Sequence, residues 1–209
     1  MNKIMKRVAI LGGSFDPPTV SHMQIAAETL YQHKCDQVWI VPCGDRLDKQ
    51  TRTPGPIRLE LTKLAMRDFF PEGFPVMVKD IEIENKTTIP TYFLMKRFEE
   101  LYPPTEFEFH FIMGSDLIPT LHLWHEPERL VSEISFILYN RLNGDDSVNL
   151  EKCMPLGMPQ KYSYLKGSRN LFGEISSTEV RRRIAESRER GEPVERAFNI
   201  AGLVPKAVI

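Results

Sequence analysis

The chain has 209 residues, 42% of them hydrophobic, with 27 basic against 28 acidic side chains and a formal net charge of -1. That length and apolar content suffice for one compact domain with a sizeable core, expected over residues 1–209 with a helical part from about 176 to 209. The charge balance excludes a polyanion-coating protein, so nucleic acid is not an expected partner.

Short β-branched runs alternate with longer amphipathic segments. Val8 to Leu11 reads as a buried strand, Val20 to His33 as a helix, and Gln37 to Val41 as a second strand closed by Pro42 and Gly44. Ile57 to Phe70 carries Leu61, Leu64, Ala65 and Met66 at helical spacing. Val76 to Ile83 reads as extended. Pro90 opens a helix through Tyr102, because proline is tolerated in a first helical turn. Phe107, Phe109 and Phe111 alternate with Glu108 and His110, the pattern of a strand with one apolar face. Ile134 to Tyr139 is a further strand, residues 142–170 read as loop, Ser177 to Arg190 as a charged helix, and Pro193 to Ile200 as a last short helix. Strand alternating with helix predicts an α/β fold, a Rossmann-like doubly wound parallel sheet with helices on both faces.

No apolar run approaches the ~20 residues that a membrane helix needs. The opening MNKIMKRVAILGG has too short an apolar stretch for a signal peptide and no small-residue cleavage site. Cys35, Cys43 and Cys153 form no CxxC pair, which indicates neither a disulfide framework nor a structural zinc site. The expectation is a cytoplasmic protein with reduced thiols and no membrane partner. His122 and His125 have no acidic or cysteine partner at metal-ligand spacing, so no metal ligands are assigned.

In such sheets ligands sit beyond the carboxyl ends of the strands. The first strand runs into Gly12-Gly13-Ser14-Phe15-Asp16-Pro17-Pro18-Thr19, which is neither a P-loop nor a GxGxxG fingerprint. Gly12 and Gly13 let backbone approach a ligand, and N–H groups there can hold phosphate oxygens. Thr19 and His22 fall three apart, on one face of the first turn of the following helix, where phosphate is favoured. By itself, Gly-Gly reads as a tight turn and His22 as a surface residue. A second cluster, Ile175-Ser176-Ser177-Thr178-Glu179-Val180-Arg181, opens the charged helix. Ser176 and Glu179 make a capping box. Three hydroxyls followed by Arg181 also make an anion pocket at a helix N-terminus. Arg182, Arg183, Arg188 and Arg190, interleaved with Glu186 and Glu189, read as a solvated face.

These two stretches resemble a known family. GGSFDPPTVSH is similar to the (H/T)xGH signature of the adenylyltransferases of NAD and coenzyme A synthesis, and ISSTEVR to their ISSTxxR signature; they lie about 150 residues apart. Ser21 stands where the family usually has glycine, and Thr19 is a common alternative to its first histidine. After the Phe107 strand, Gly114-Ser115-Asp116 followed by Trp124 resembles the GxD…W segment of the nicotinate and nicotinamide mononucleotide adenylyltransferases. The resemblance implies that Thr19, His22 and Arg181 are catalytic. It further implies that Gly12, Gly13, Ser14, Phe15, His22, Ile175, Ser176, Ser177 and Arg181 bind ATP. Gly114 and Asp116 would hold its ribose, a role that a carboxylate accepting from two hydroxyls can fill. Trp124 would stack on the pyridine ring, with the His125 N–H near its substituent; an ordinary core aromatic is the other reading of Trp124.

Ser14, Phe15, Lys49, Thr91 and Arg141 complete the implied substrate set. A solvated lysine is the alternative for Lys49, and pairing with Asp145 the alternative for Arg141. Phe93 follows Tyr92 where the family commonly has threonine. The expected reaction joins nicotinate mononucleotide to the AMP part of ATP, with Mg²⁺ carried by the phosphates. Nicotinate is preferred to nicotinamide because the TLHLWH spacing resembles the bacterial-type and protozoan enzymes. The alternatives are nicotinamide mononucleotide as acceptor, a phosphopantetheine adenylyltransferase or cytidylyltransferase, and a non-catalytic nucleotide sensor. A homo-oligomer is compatible with the sequence, which does not specify it.

Overall fold

A computed structural model describes residues 5–45, 53–84, 88–140, 155–165, 175–191 and 200–209. Its centre is a six-stranded sheet with strand order β3-β2-β1-β4-β5-β6 and every neighbouring pair parallel. In chain order the elements are β1 (Lys6–Gly13), α1 (Val20–Tyr31), β2 (Gln37–Pro42), α2 (Gly55–Phe69), β3 (Val76–Val78), α3 (Ile81–Glu84) and α4 (Thr91–Leu101). There follow β4 (Phe107–Gly114), a 3₁₀ segment (Ser115–Leu123), α5 (Pro127–Glu133), β5 (Ser135–Tyr139), β6 (Lys161–Tyr164), α6 (Ser177–Glu189) and a terminal 3₁₀ turn (Lys206–Val208). This is the expected Rossmann-like doubly wound sheet, and its strand order reverses between β1 and β4.

The alternation of side chains along each strand divides the core into two layers. Val8 and Ile10 point to one face, with Trp39, Val41, Phe109 and Phe111, and are covered by Leu94, Met95 and Phe98 of α4 and Leu130 of α5. Ala9 and Leu11 point to the other, with Val38, Ile40 and Ile112, under Met23 and Ile25 of α1 and Ala65 of α2. Because β1 is buried on both faces, it reads as a continuous apolar run. A third, smaller cluster joins Val180 of α6 to Ile200 and Val204. The C-terminal segment is tied back by Val20 N–H donating to Leu203 O (3.0 Å) and by Ala207 N–H donating to Asp68 Oδ2 (3.2 Å).

Two expectations need correction. Val76 to Ile83 is not extended throughout: the strand ends at Val78, and Ile81–Glu84 makes a helical turn closed by Glu84 N–H donating to Asp80 O (2.9 Å). Glu82, within that turn, is buried and accepts from main-chain donors. The loop expected over 142–170 contains β6, whose Leu138↔Tyr164 register extends the sheet. Its KYSY sequence lacks an apolar run because an edge strand can leave one face in water. The helix expected from Pro193 to Ile200 lies almost wholly outside the described residues.

Candidate active site

The end of the sheet at the β1/β4 reversal, where ligands of such sheets bind, is built first by β1 itself. Gly12 and Gly13 continue the strand opposite Val41 and Pro42, and Gly13 O accepts from Cys43 N–H (2.8 Å). A Cβ on Gly12 would sit 3.2 Å from the Phe111 ring, and one on Gly13 would sit 3.3 Å from the Phe15 ring. Phe15 then turns the chain with φ of 48°, a left-handed conformation that a bulky residue keeps only when its surroundings hold it. Those surroundings are its burial and an edge-on contact with the His22 ring at 4.9 Å between centroids.

Thr19 is the N-cap of α1, and His22 is its third helical residue. The main-chain N–H of Thr19 donates to His22 Nδ1 (2.9 Å), and the Thr19 hydroxyl lies 2.7 Å from the same nitrogen. An N–H cannot accept, so Nδ1 is the acceptor, and the proton of the neutral ring is assigned to Nε2. The helix start thereby makes His22 Nε2 a hydrogen-bond donor. Ser21, between them, is buried.

The second cluster docks on the same stretch of chain. Ser176 caps α6 by accepting from Glu179 N–H (3.2 Å). Ser177 Oγ donates to Pro17 O (2.7 Å), and Arg181 Nη1 donates to Asp16 O. Arg181 Nη2 also reaches Thr178 Oγ1 (3.2 Å). Asp16 is itself buried, so these contacts fix the turn that leads into Thr19 and His22. The remaining arginines behave as a solvated face: Arg182 pairs with Glu179 and Glu186, and Arg183 with Glu179. Hydrogen bonds from Arg182 and then Arg183 hold the Glu179 carboxyl down at about 2. A cavity of about 300 Å³ opens beside the junction, between Asp16, Pro17, Leu61, Val180, Arg181 and Ile184.

Across the reversal, β4 ends at Gly114 and the 3₁₀ segment begins with Ser115 and Asp116. A Cβ on Gly114 would fall 2.2 Å from Asp116 Oδ1, so the position of this carboxylate requires glycine there. Ser115 Oγ donates to Asn140 Oδ1 (3.3 Å), joining the end of β4 to the end of β5. Trp124 caps the 3₁₀ segment, its N–H donating to Leu121 O (3.0 Å), and is half-buried against the Phe111 face of the core. His125 is exposed, and Glu126 follows with φ of 50°. Thr91 is the half-buried first residue of α4. Ile175 is half-buried just before α6, whereas Lys49 and Arg141 lie outside the described residues.

Two buried charges escape a reading of motifs. Arg58 of α2 and Glu82 of α3 are both taken out of solvent; Arg58 binds main chain after β1 and β2, and Glu82 binds main chain after β2 and before α4. In sequence Arg58 looks like any charged residue on an amphipathic helix. Among the described residues no group of three or more His, Cys, Asp or Glu side chains is gathered that could hold a metal ion, and no helix is long and apolar enough to cross a membrane.

The cytidylyltransferase-like family matches residues 10–183 of the chain. A protein of Exiguobacterium sibiricum named "Probable nicotinate-nucleotide adenylyltransferase" is 31% identical over 188 residues, 87% of this chain and 88% of that one. The Plasmodium falciparum nicotinic acid mononucleotide adenylyltransferase complexed with NaAD superposes with a TM-score of 0.76 at 28% identity, covering 98% of this chain and 93% of the other. The same enzyme complexed with APC gives 0.67 at 30% identity over 85% and 83%. Together with the two signature segments meeting at one sheet crevice, these relationships show that the chain belongs to the cytidylyltransferase-like family, in its nicotinate-nucleotide adenylyltransferase branch.

Proposed function

We propose that this protein transfers AMP from ATP to the 5′-phosphate of nicotinate mononucleotide, giving nicotinate adenine dinucleotide and pyrophosphate in NAD synthesis. The observation that carries this reading is the contact of Ser177 and Arg181 with the carbonyls of Pro17 and Asp16, directly before Thr19 and His22. It joins a glycine-led strand end and a hydroxyl-rich helix start at one end of the sheet. The names of the relatives supply the chemistry of the acceptor. One nucleotidyltransferase domain over residues 1–209 carries it, with residues 176–209 as its helical part, in the cytoplasm.

The reaction is an in-line displacement. An oxygen of the mononucleotide phosphate attacks the α-phosphorus of ATP, that P–O bond forms, and the bond to the bridging oxygen of pyrophosphate breaks. A phosphate monoester with a second pKa of about 6 is largely ionised at neutral pH, so no strong general base is needed. The protein's work is to hold two anions against their repulsion and to meet charge as it develops. His22 Nε2–H donates to an α-phosphate oxygen, with Thr19 fixing the ring. Arg181, Ser176 and Ser177 hold the leaving phosphates at the start of α6, beside Ile175, and backbone of Gly12, Gly13, Ser14 and Phe15 lines the phosphate path.

Asp116 accepts from the ribose, and Gly114 admits that carboxylate. Trp124 stacks on the pyridine ring, with Thr91 and the His125 N–H near it, and Lys49 and Arg141 attract the acceptor phosphate. These groups are mainly hydrogen-bond donors, which suits Mg²⁺ arriving on the phosphates rather than in a carboxylate cage. Carried there on ATP, such an ion would supply neutralisation of charge on the leaving pyrophosphate.

The test is a parallel measurement of kcat/KM with Mg-ATP and nicotinate mononucleotide, nicotinamide mononucleotide or phosphopantetheine, following pyrophosphate release. A preference for nicotinate mononucleotide is expected. Turnover only with phosphopantetheine, or ATP binding without pyrophosphate release for any acceptor, overturns the reading.

A further inference from the structure

The structure assigns a positioning role to Arg58: its guanidinium locks the loops that leave β1 and β2 into one rigid rim of the nucleotide crevice. The side chain has 0% of its surface exposed. Its Nη1 donates to Ser14 O (2.7 Å), in the turn after β1. Its Nη2 donates to Gly44 O (3.2 Å) and Asp45 Oδ1 (3.0 Å), in the segment after β2. Its Nε donates to Thr53 O (2.9 Å), just before α2. One planar fork therefore gathers three separate chain segments, which the fixed geometry of guanidinium permits and an ammonium does not reproduce.

The rim is completed from the other side. Glu82 Oε2 accepts from Gly44 N–H (3.1 Å) and Ile89 N–H (3.1 Å), and Asp45 Oδ1 accepts from Gly55 N–H (2.8 Å). Gly44 is thus held at its carbonyl by Arg58 and at its amide by Glu82. Asp45, whose side chain is 64% exposed, is the carboxylate paired with the buried cation. Since Arg58 spends its hydrogen bonds on protein carbonyls, one protein carboxylate and the Cys43 sulfur (3.9 Å), it acts through Ser14 and Gly44 and not on a phosphate. This inference rests on the reading that Ser14 and Phe15 line the nucleotide path.

The experiment uses the full chain and does not depend on catalysis for its first readout. Arg58→Lys keeps the charge and loses the fork, whereas Arg58→Ala leaves carbonyls unpaired and is expected to fold poorly. Amide hydrogen exchange followed by mass spectrometry should rise at least about tenfold in peptides covering residues 12–16 and 42–45 of Arg58→Lys, while the Val8 to Leu11 strand keeps wild-type protection. Glu82→Ala should loosen the 42–45 peptide and the peptide carrying Ile89, and leave residues 12–16 at wild-type protection.

In wild-type-active protein, Arg58→Lys should raise both KM values and lower kcat, and Glu82→Gln should restore most of what Glu82→Ala loses. Unchanged exchange in both loops of Arg58→Lys overturns the proposal. So does an equal rise throughout β1, which would make Arg58 a general stability residue. An inactive wild-type protein would sink the proposed reaction and leave the exchange result to judge Arg58 by itself.

Discussion

Arg181 and Asp16 stand 165 positions apart in sequence, yet the guanidinium of one donates to the main-chain carbonyl of the other. With Ser177 bound to Pro17 O, the N-terminal turn of α6 is seated on the bend that delivers Thr19 and His22. The leaving-group half of the proposed site and its α-phosphate half are therefore mechanically one piece.

Substituting Arg181 should act on both halves. On the proposed reaction, Arg181→Ala removes a charge-assisted donor from the phosphates, and it removes a restraint from the Asp16 bend. A loss of kcat/KM of about 100-fold or more is expected, larger than a single surface arginine substitution gives. Steady-state kinetics beside Arg182→Ala, whose partners are the half-buried Glu179 and Glu186, makes the comparison. Equal, small effects from the two variants would remove Arg181 from the site.

His22→Ala should lower kcat by about 100- to 1,000-fold while ATP affinity falls much less, because its donation matters most as charge builds on the α-phosphate. Single-turnover rates and equilibrium ATP binding separate the two quantities. A nearly wild-type turnover defeats the role.

Gly114→Ala should be damaging without any polar change. The added methyl would come 2.2 Å from Asp116 Oδ1, so the carboxylate must swing away. A rise in KM for ATP of about tenfold or more is expected, consistent with ~1–3 kcal/mol for disturbed hydrogen bonds to a charged group. Gly73→Ala, at a turn with φ of 80° and open space, serves as a control in which stability and not KM should respond. An unchanged KM for Gly114→Ala would separate Asp116 from the ribose.

Alkaline pH should weaken the fold through Cys35. Burial pushes its thiol up to about 12 from an ordinary value of 9.0. Below about 9 the thiol is protonated whether folded or unfolded, so the group adds no pH dependence. Between about 9 and about 12 only the unfolded chain releases the proton, and stability falls as pH rises. Urea midpoints measured over that range should decline less steeply in Cys35→Ala than in wild type. In native protein near pH 8 the Cys35 peptide should stay unalkylated. Rapid labelling there would contradict its burial.

The strands and helices around the site were legible because each carries a simple period. Val8 to Leu11 is apolar because both its faces are covered, and Phe107, Phe109 and Phe111 share one core face with His110 on the other, largely covered one. The extended stretch expected from Val76 to Ile83 stops at Val78, because Ile81–Glu84 is a helical turn whose Glu82 is buried against main-chain donors. β6 was hidden because KYSY is an edge with little to bury.

The sequence by itself determined the two signatures, the parallel sheet and the chemistry that a histidine, an arginine and a run of hydroxyls can offer to a triphosphate. Those features depend on residue type and short spacing, which a linear chain displays. Tertiary structure decided which carbonyl each donor meets. It chose Nε2 as the His22 donor, seated Arg181 on Asp16, required glycine beside Asp116, and turned an unremarkable helix arginine, Arg58, into the pin between two loops. Burial and long-range hydrogen bonding exist only between segments brought together by folding, so no local pattern records them.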